Sequence, residues 1–444
     1  MSGFVDFCPM LIVETSPDFL PEKTYALGVL VRERLGLSFQ IKPKDGCEHY
    51  VIGLPNGNRV IVEDHFFGKF GPEHYLHARN VPETAQRVPH PFEQNESLTI
   101  IFGRPHFDEK TCGLDLVASA FFMLARWEEF AVPVRDRHGR FPASAALATK
   151  AGFLERPVVE EYAALLGYLL ARAGLILPPS GEQYRLQLSH DVDHPLLWWK
   201  KSDRWRTLAG SLLARKDLKE TLFWLQNGAD DPFDTFDWIM DLSEKNALVS
   251  QFNFMGERPA GTDCWYPIRH PFVQQLMDKI EQRGHQIGFH PSYESFEEPK
   301  ILRTELESLQ QVVGQPLRGG RQHYLRFAAP HTWQIWENTG LETDSTLGFA
   351  EAPGFRCGAC KPFPVFNILT RKELNLKELP LIAMDVSFAL YRRDTPEQAL
   401  QSLNELRSQV RKHRGVFTLL WHNSSLNDYF WKRWKPVYTS FVNS

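Results

Sequence analysis

The sequence predicts an α/β protein, a distorted (β/α) barrel of about seven strands preceded by a smaller α/β domain. Three observations carry this expectation. Short apolar runs of strand length alternate with amphipathic helical stretches through the second half of the chain. A turn-and-breaker cluster, Leu177-Pro-Pro-Ser-Gly181, interrupts the chain just before that alternation begins. The length, 444 residues, exceeds what a single ordinary core organises. The boundary is therefore drawn between an amino-terminal domain over residues 1–178 and a barrel over residues 179–444.

Composition narrows the class. Hydrophobic residues make up 43% and aromatics 13%, ample material for packed interiors and too much for a disordered chain. With 50 basic and 54 acidic residues the net charge is -4, which leaves no electrostatic footprint for a nucleic-acid backbone. The first residues, MSGFVDFCPMLIVETSPDF, lack the basic start, long apolar core and small-residue cleavage site of a secretory signal. No window reaches the roughly 18 uninterrupted apolar residues of a membrane span, so a cytoplasmic protein is expected. Six scattered cysteines do not form a disulfide framework, and Cys357-Gly-Ala-Cys360 reads as a turn rather than half of a zinc ribbon. Asn95-Glu-Ser97 and Asn423-Ser-Ser425 carry no weight as glycosylation acceptors in such a chain.

In the first half, LIVET (11–15), YVIGL (50–54), RVIVED (59–64) and SLTIIFG (97–103) read as strands. DLVASAFFMLARWEEF, from Asp115 to Phe130, reads as one buried helix capped by its leading aspartate. In the second half the strand candidates are RLQLSHD, ALVSQFNFM (247–255), QIGFHPS (286–292), LRGGRQHY (317–324), LETDSTL (341–347), ELPLIAMD (378–385) and VFTLLWHN (416–423). Helical segments such as PFVQQLMDKIEQRG and TPEQALQSLNELRSQVRKH separate them, which implies βα repeats and a parallel sheet or barrel.

Polar residues collect where these strands end. RLQLSHDVDHP begins as a half-buried alternating strand and finishes in Asp191, Asp193 and His194 ahead of Pro195. His290 ends the third strand, Arg321 and His323 the fourth, Asp385 a later one and His422 the last. Any one histidine is more simply read as a core or surface residue. Five strands ending this way point instead to the carboxyl-terminal face of a barrel, where active sites are built. Two crowded carboxylates are costly without a nearby cation, and carboxylate with neutral imidazole is a zinc-type ligand set.

The order HDVD, GHQIGFHPSY, RQHY, LLWHN resembles the motif series of the polysaccharide deacetylases, the NodB-like carbohydrate esterases, over roughly residues 184–430. The first half, with FFMLARWEEF, is similar to the uncharacterised domain that precedes some bacterial polysaccharide deacetylase-like proteins. The resemblance implies that Asp191 is a general base oriented by Arg321, that Asp193 and His290 bind a divalent metal, and that His422 is the general acid. The metal is expected to be Zn2+, with Co2+ or Ni2+ as substitutes. The pattern's second metal histidine falls four residues after His290, where this chain has Glu294. Glu294, His323 and His194 are the possible replacements. His323 is preferred, because it lies beside Arg321 and because Pro291 disfavours a helical pair after His290.

His285 and His190 alternate away from the motif residues and are read as structural. Asp385 either orients His422 or caps a helix. Tyr293, Tyr324 and Trp421 are the aromatics expected to meet a sugar, with Trp198 and Trp199 also close in sequence. The activity implied is removal of an acetyl group from an N-acetylated sugar in a bacterial glycan, or in an intracellular lipid- or nucleotide-linked precursor. The alternatives are a metal-dependent hydrolase of another non-peptide C–N bond and a non-catalytic glycan-binding component of polysaccharide assembly.

Overall fold

The computed structural model describes residues 10–71, 74–94, 96–227, 230–257 and 266–444. Asn95 and residues 1–9, part of the segment read for a signal, lie outside them. The protein is α/β with mixed sheets. In the first half, β1 (Met10–Thr15), β2 (Ser38–Pro43), β3 (His49–Gly53) and β4 (Arg59–Glu63) precede a two-stranded ladder of β5 (Gln86–Pro89) and β6 (Ser97–Ile100). β7 (Gly103–Phe107) and β8 (Thr111–Leu114) complete a six-stranded sheet in the order β2-β1-β3-β4-β8-β7. β1 shows why: Leu11 and Val13 point into the core while their neighbours face outward.

The buried helix expected from Asp115 to Phe130 is two helices, Leu116–Ala125 and Trp127–Ala131. Asp115 caps the first, accepting from the Ala118 N–H at 2.9 Å. Arg126 breaks the run with a left-handed backbone, φ 51°. That turn lets its buried guanidinium reach back to the Met123 carbonyl at 3.0 Å and forward to Glu129 at 2.9 Å. Satisfying a buried cation overrides helix propensity here.

The second half contains β9 (Arg185–Val192), β10 (Ser250–Phe254), β11 (Gln286–Phe289), β12 (Gly319–Gly320) and β13 (Thr343–Asp344). It continues with β14 (Phe363–Asn367), β15 (Lys372–Glu378), β16 (Ala383–Met384) and β17 (Val416–Leu420). Their order is β14-β15-β13-β12-β11-β10-β9-β17-β16, all parallel except β14. Outward from β9 the strands run β10, β11, β12, β13 and β15 on one side, with β14 at that edge, and β17 then β16 on the other, so that an open seam separates the two edges. The expected barrel is not closed by a ladder among the described residues. The sixth predicted strand, 378–385, is divided: Glu378 ends β15, which pairs with β13, whereas Ala383–Met384 pair with β17. Residues 379–382 span the seam. β14 and β15 form an antiparallel hairpin whose turn, NILTR at 367–371, carries no Gly or Pro as a local turn signal.

The breaker cluster lies between the two sheets, yet one hydrophobic cluster runs through both halves. Phe366 packs on Tyr25, tilted, and on Phe121, edge to face, at 4.9 and 5.4 Å between ring centroids. The Tyr25 hydroxyl donates to the Pro364 carbonyl at 2.8 Å. Arg371 grips Glu22 through two bonds of 2.7 and 2.9 Å. Buried Arg356 meets buried Glu129 through Nε at 2.8 Å and Nη2 at 2.5 Å. No described helix is long and apolar enough to cross a membrane.

The Arg356–Glu129 pair supplies a stability test. Arg356→Met leaves Glu129 buried with Arg126 as its remaining cation, and should cost about 3–5 kcal/mol in urea unfolding of the full chain. An unchanged midpoint would show that the pair does not join the halves.

Candidate metal centre

The centre is assembled where β9, β11, β12 and β17 end. Asp191, near the end of β9, sits in register opposite Asn253 of β10, which in turn lies opposite Gly288 of β11. The Asn253 amide donates to Asp191 Oδ1 at 2.7 Å, and Arg321 Nη1 donates to the same oxygen at 3.0 Å. Ser345 fixes the guanidinium, its carbonyl 2.8 Å from Nε and its hydroxyl 2.9 Å from Nη2. Burial by itself would raise the Asp191 carboxyl, but Arg321, His290, His422 and the Asn253 bond together hold it below the usual carboxylate range. Gly288 makes room for this arrangement. A Cβ there would stand 2.0 Å from Asn253 Oδ1 and 2.6 Å from Gln251 Nε2.

Asp193, His290 and His323 bring their ligand atoms within 4.8 Å of one another. His290 donates from Nδ1 to the Arg321 carbonyl at 2.7 Å, which turns Nε2 toward Asp193. His290 Nε2 lies 3.2 Å and His323 Nε2 3.5 Å from Asp193 Oδ1. Two ligands about 2.0–2.1 Å from a tetrahedral zinc stand roughly 3.3 Å apart, so these separations suit one ion between the three groups. Asp193 Oδ1 and His290 Nε2 are buried and have no hydrogen-bond partner among the described residues. Burial would raise the Asp193 carboxyl, yet His323 and His290 hold it well below the usual range. Carboxylate plus two imidazoles is a zinc-type donor set with room for a further ligand.

His323 arrives by a local turn. The strand expected over 317–324 pairs only at Gly319–Gly320, where a Cβ on Gly320 would stand 1.8 Å from the Phe289 carbonyl. Tyr324 and Leu325 then adopt left-handed backbones, φ 58° and 54°, and fold His323 toward Asp193. Glu294 and His194 are both exposed and do not join this group.

His422 completes the floor. Its Nδ1 donates to Asp385 Oδ1 at 2.9 Å, its backbone N–H donates to Asp385 Oδ2 at 2.9 Å, and its Nε2 faces Asp193 Oδ2 at 3.7 Å. Asp385 also accepts from the Val386 N–H at 2.7 Å, so it binds both the imidazole and the start of the following turn. Burial alone would lower the His422 pKa, but Asp385, with Asp193 and Asp191, pushes it up to about 9.

These groups line a cavity of about 280 Å³ whose walls include Tyr324, Leu390, Tyr391 and Arg140. Arg140 comes from the first half of the chain; it donates to the Tyr324 carbonyl at 2.9 Å and the Tyr391 hydroxyl at 3.2 Å while paired with Asp136. Tyr324, 41% exposed, stands at the rim. Tyr293 is half-buried beneath the Arg326 guanidinium, 3.9 Å from its ring centroid, and is not among the cavity walls. Trp421 corrects the expectation of a sugar-facing ring. It is wholly buried, packs on Tyr438 at 5.3 Å and donates to the Ser425 carbonyl at 3.1 Å, because it directly precedes the cavity-facing His422 and alternation along the strand turns it into the core behind.

His190 and His285 lie outside the cluster. His190 is fully buried, its Nδ1 2.6 Å from the Trp421 carbonyl and its Nε2 3.2 Å from Ser250 Oγ. Trp198 and Trp199 are half-buried outside the cavity walls. Buried Cys357 and Cys360 sit in a turn, their thiols pushed well up by burial. The sequence reading missed Asn253, Ser345, Tyr391 and Arg140. A polar residue at an inward position of an otherwise apolar strand, SQFNF, was the available signal for Asn253; Arg140 lies in a loop and had none.

Residues 11–174 match the family model of a family of unknown function, DUF7033. No curated protein matches the chain. Among solved structures, a protein assigned as a polysaccharide deacetylase from Mycobacterium smegmatis is similar at 16% identity and a TM-score of 0.39, over 60% of this chain and 85% of that one. A CE4 family pseudoenzyme from Bacillus anthracis is similar at 9% identity and a TM-score of 0.30, over 60% of this chain and 62% of its own. A mutant CE4 family pseudoenzyme with restored enzymatic activity is similar at 10% identity and a TM-score of 0.30, over 60% and 64%.

Two outcomes follow from this geometry. Gly288→Ala should displace Asn253 from Asp191 and lower stability by about 1–3 kcal/mol, read as a fall in Tm; an unchanged Tm would mean that the close approach is not needed. His190 has its pKa lowered to about 4, chiefly by burial. Its unfolded value is near 6.5, so the unfolded chain binds the extra proton between these limits, and stability falls as pH drops from about 6.5 to about 4. The loss attributable to His190 is on the order of 3 kcal/mol, and His190→Asn should flatten that limb of the pH–stability curve.

Proposed function

We propose that this chain is a metal-dependent deacetylase that removes the acetyl group of an N-acetylated sugar in a glycan or glycan precursor. The observation that carries the reading is the ligand-spaced group Asp193, His290 and His323, flanked on one side by Asp191 with Arg321 and on the other by His422 with Asp385. Asp193, His290 and His323 would hold the ion. A divalent metal, when bound, supplies a water of lowered pKa and shares the charge that develops on the acetamide oxygen.

The protein's own groups perform the proton work. Asp191, kept ionised by Arg321 and Asn253, accepts a proton from the attacking water through its second oxygen. Its depressed pKa makes it a weak base in the resting protein, where it already faces the positive charge of His422. His422, charged at neutral pH through its bond to Asp385, delivers a proton to the departing amine. Tyr324 and Tyr391, at the cavity wall, offer ring faces to a pyranose, and Arg140 orients both through the Tyr324 carbonyl and the Tyr391 hydroxyl.

Metal-stripped protein should take up about one zinc per chain in a titration followed by elemental analysis, and His290→Ala should lose that uptake. Asp191→Asn should retain zinc but lose at least about 100-fold in acetate release from N-acetylated oligosaccharides. Failure of the unsubstituted chain to bind zinc, cobalt or nickel would sink the proposal, and full activity in Asp191→Asn would remove Asp191 from the base role.

A further inference from the structure

Two helices inserted directly after the Asp193 strand expose apolar side chains to water. They are Lys201–Ala209, continued through Gly210–Ala214, and Leu218–Gln226. Six of the large apolar side chains exposed among the described residues fall between Trp205 and Leu225: Trp205, Leu212, Leu213, Leu218, Leu222 and Leu225, from 46% to 71% exposed. In the second helix Leu218, Leu222 and Leu225 form one stripe at i, i+4 and i+7, and that stripe faces outward while Thr221 and Trp224 face in.

The hairpin does not need these leucines for its own packing. Thr221 Oγ1 donates to Ser211 Oγ at 3.0 Å, Trp198 Nε1 donates to Thr207 Oγ1 at 2.9 Å, and Trp198 stacks edge-on against Trp224 at 5.7 Å. Asp231 tethers its base, accepting from the Leu197 and Trp198 N–H groups at 3.0 and 2.6 Å. A concentrated apolar surface that the fold leaves outside marks an interaction site.

Charge identifies the occupant. Residues 200–220 contain seven basic and three acidic side chains, a net of +4 on a chain whose total is -4. Asp203 pairs with Arg206, Glu220 pairs with Arg215, and Asp217 caps the second helix. Lys200, Lys201, Arg204, Lys216 and Lys219 are exposed and ion-pair with nothing among the described residues. On the adjoining segment after His422, Phe430 is exposed beside Lys432 and Arg433, and Lys432 sits 4.3 Å over the Phe223 ring of the hairpin. Leucine and tryptophan bordered by uncompensated Lys and Arg is the chemistry of a helix that lies in the headgroup layer of an anionic bilayer.

We propose that the hairpin of residues 200–226, with Phe430 beside it, docks the protein on an anionic phospholipid membrane. Both segments grow from strands whose ends carry Asp193 and His422, so docking would bring the cavity face toward the lipid surface and its lipid-borne molecules. The docking stands apart from the hydrolase reading, since it needs neither metal nor turnover.

Flotation of the full chain with vesicles tests it. Binding is expected to phosphatidylcholine vesicles containing about one-third phosphatidylglycerol and not to phosphatidylcholine alone, with most of it lost near 0.5 M salt. Replacing Leu218, Leu222 and Leu225 together by Ser should weaken binding at least about 10-fold while leaving circular dichroism and zinc content unchanged. Lys216→Glu with Lys219→Glu should act in the same direction. Equal flotation of the serine variant, or no flotation of the unsubstituted chain with either vesicle, overturns the proposal. So does a dimer in light scattering that the serine variant converts to monomer, since the face would then belong to a second copy.

Discussion

A carboxylate deprived of water must have its charge met inside the protein, and Asp191 is where this fold meets that demand. Arg321 and Asn253 both bond its Oδ1, and neither could do so unaided. Arg321 is aimed by Ser345, beyond β13, and Asn253 fits only because β11 presents a glycine at position 288. Keeping one aspartate ionised thus constrains five neighbouring parallel strands, β9 to β13. The Arg321 carbonyl, meanwhile, fixes the tautomer of His290 and turns its second nitrogen toward Asp193. The anion-holding network and the ligand-spaced group share a backbone, so neither can shift without the other.

The first half of the chain is part of the same construction. Arg140 reaches from its loop to the cavity wall, and buried Arg356 meets Glu129 across the junction of the two halves. A buried pair of this kind contributes little net energy against a hydrophobic equivalent but is costly to break, so its main effect is to fix how the halves meet. Holding Tyr324 and Tyr391 through a residue of the other half ties the shape of the cavity rim to that junction.

Much of this was legible beforehand where the information was local. Apolar runs marked β1, β3, β4 and β6, alternation marked the start of β9, and the clustering of Asp, His and Arg at strand ends marked the cavity face. Legibility failed where a non-local contact outweighed local propensity. Arg126 broke a helix to satisfy a buried guanidinium. The strand over 317–324 stopped at Gly320 because that backbone lies against Phe289, and Trp421 turned inward because a sheet face alternates beside His422.

By itself the sequence determined the α/β class and the strand ends where Asp, His and Arg gather, since each follows from composition or a two-residue period; the shortage of a second histidine after His290 shows only against the motif series the chain resembles. Only the tertiary structure decided that His323, rather than Glu294 or His194, stands beside Asp193 and His290, and that the sixth strand divides at the seam. Asp191 and Arg321 lie 130 positions apart, and no periodicity encodes which of many such residues will converge. Their meeting depends on strand order, register and the few positions where glycine lets backbones close.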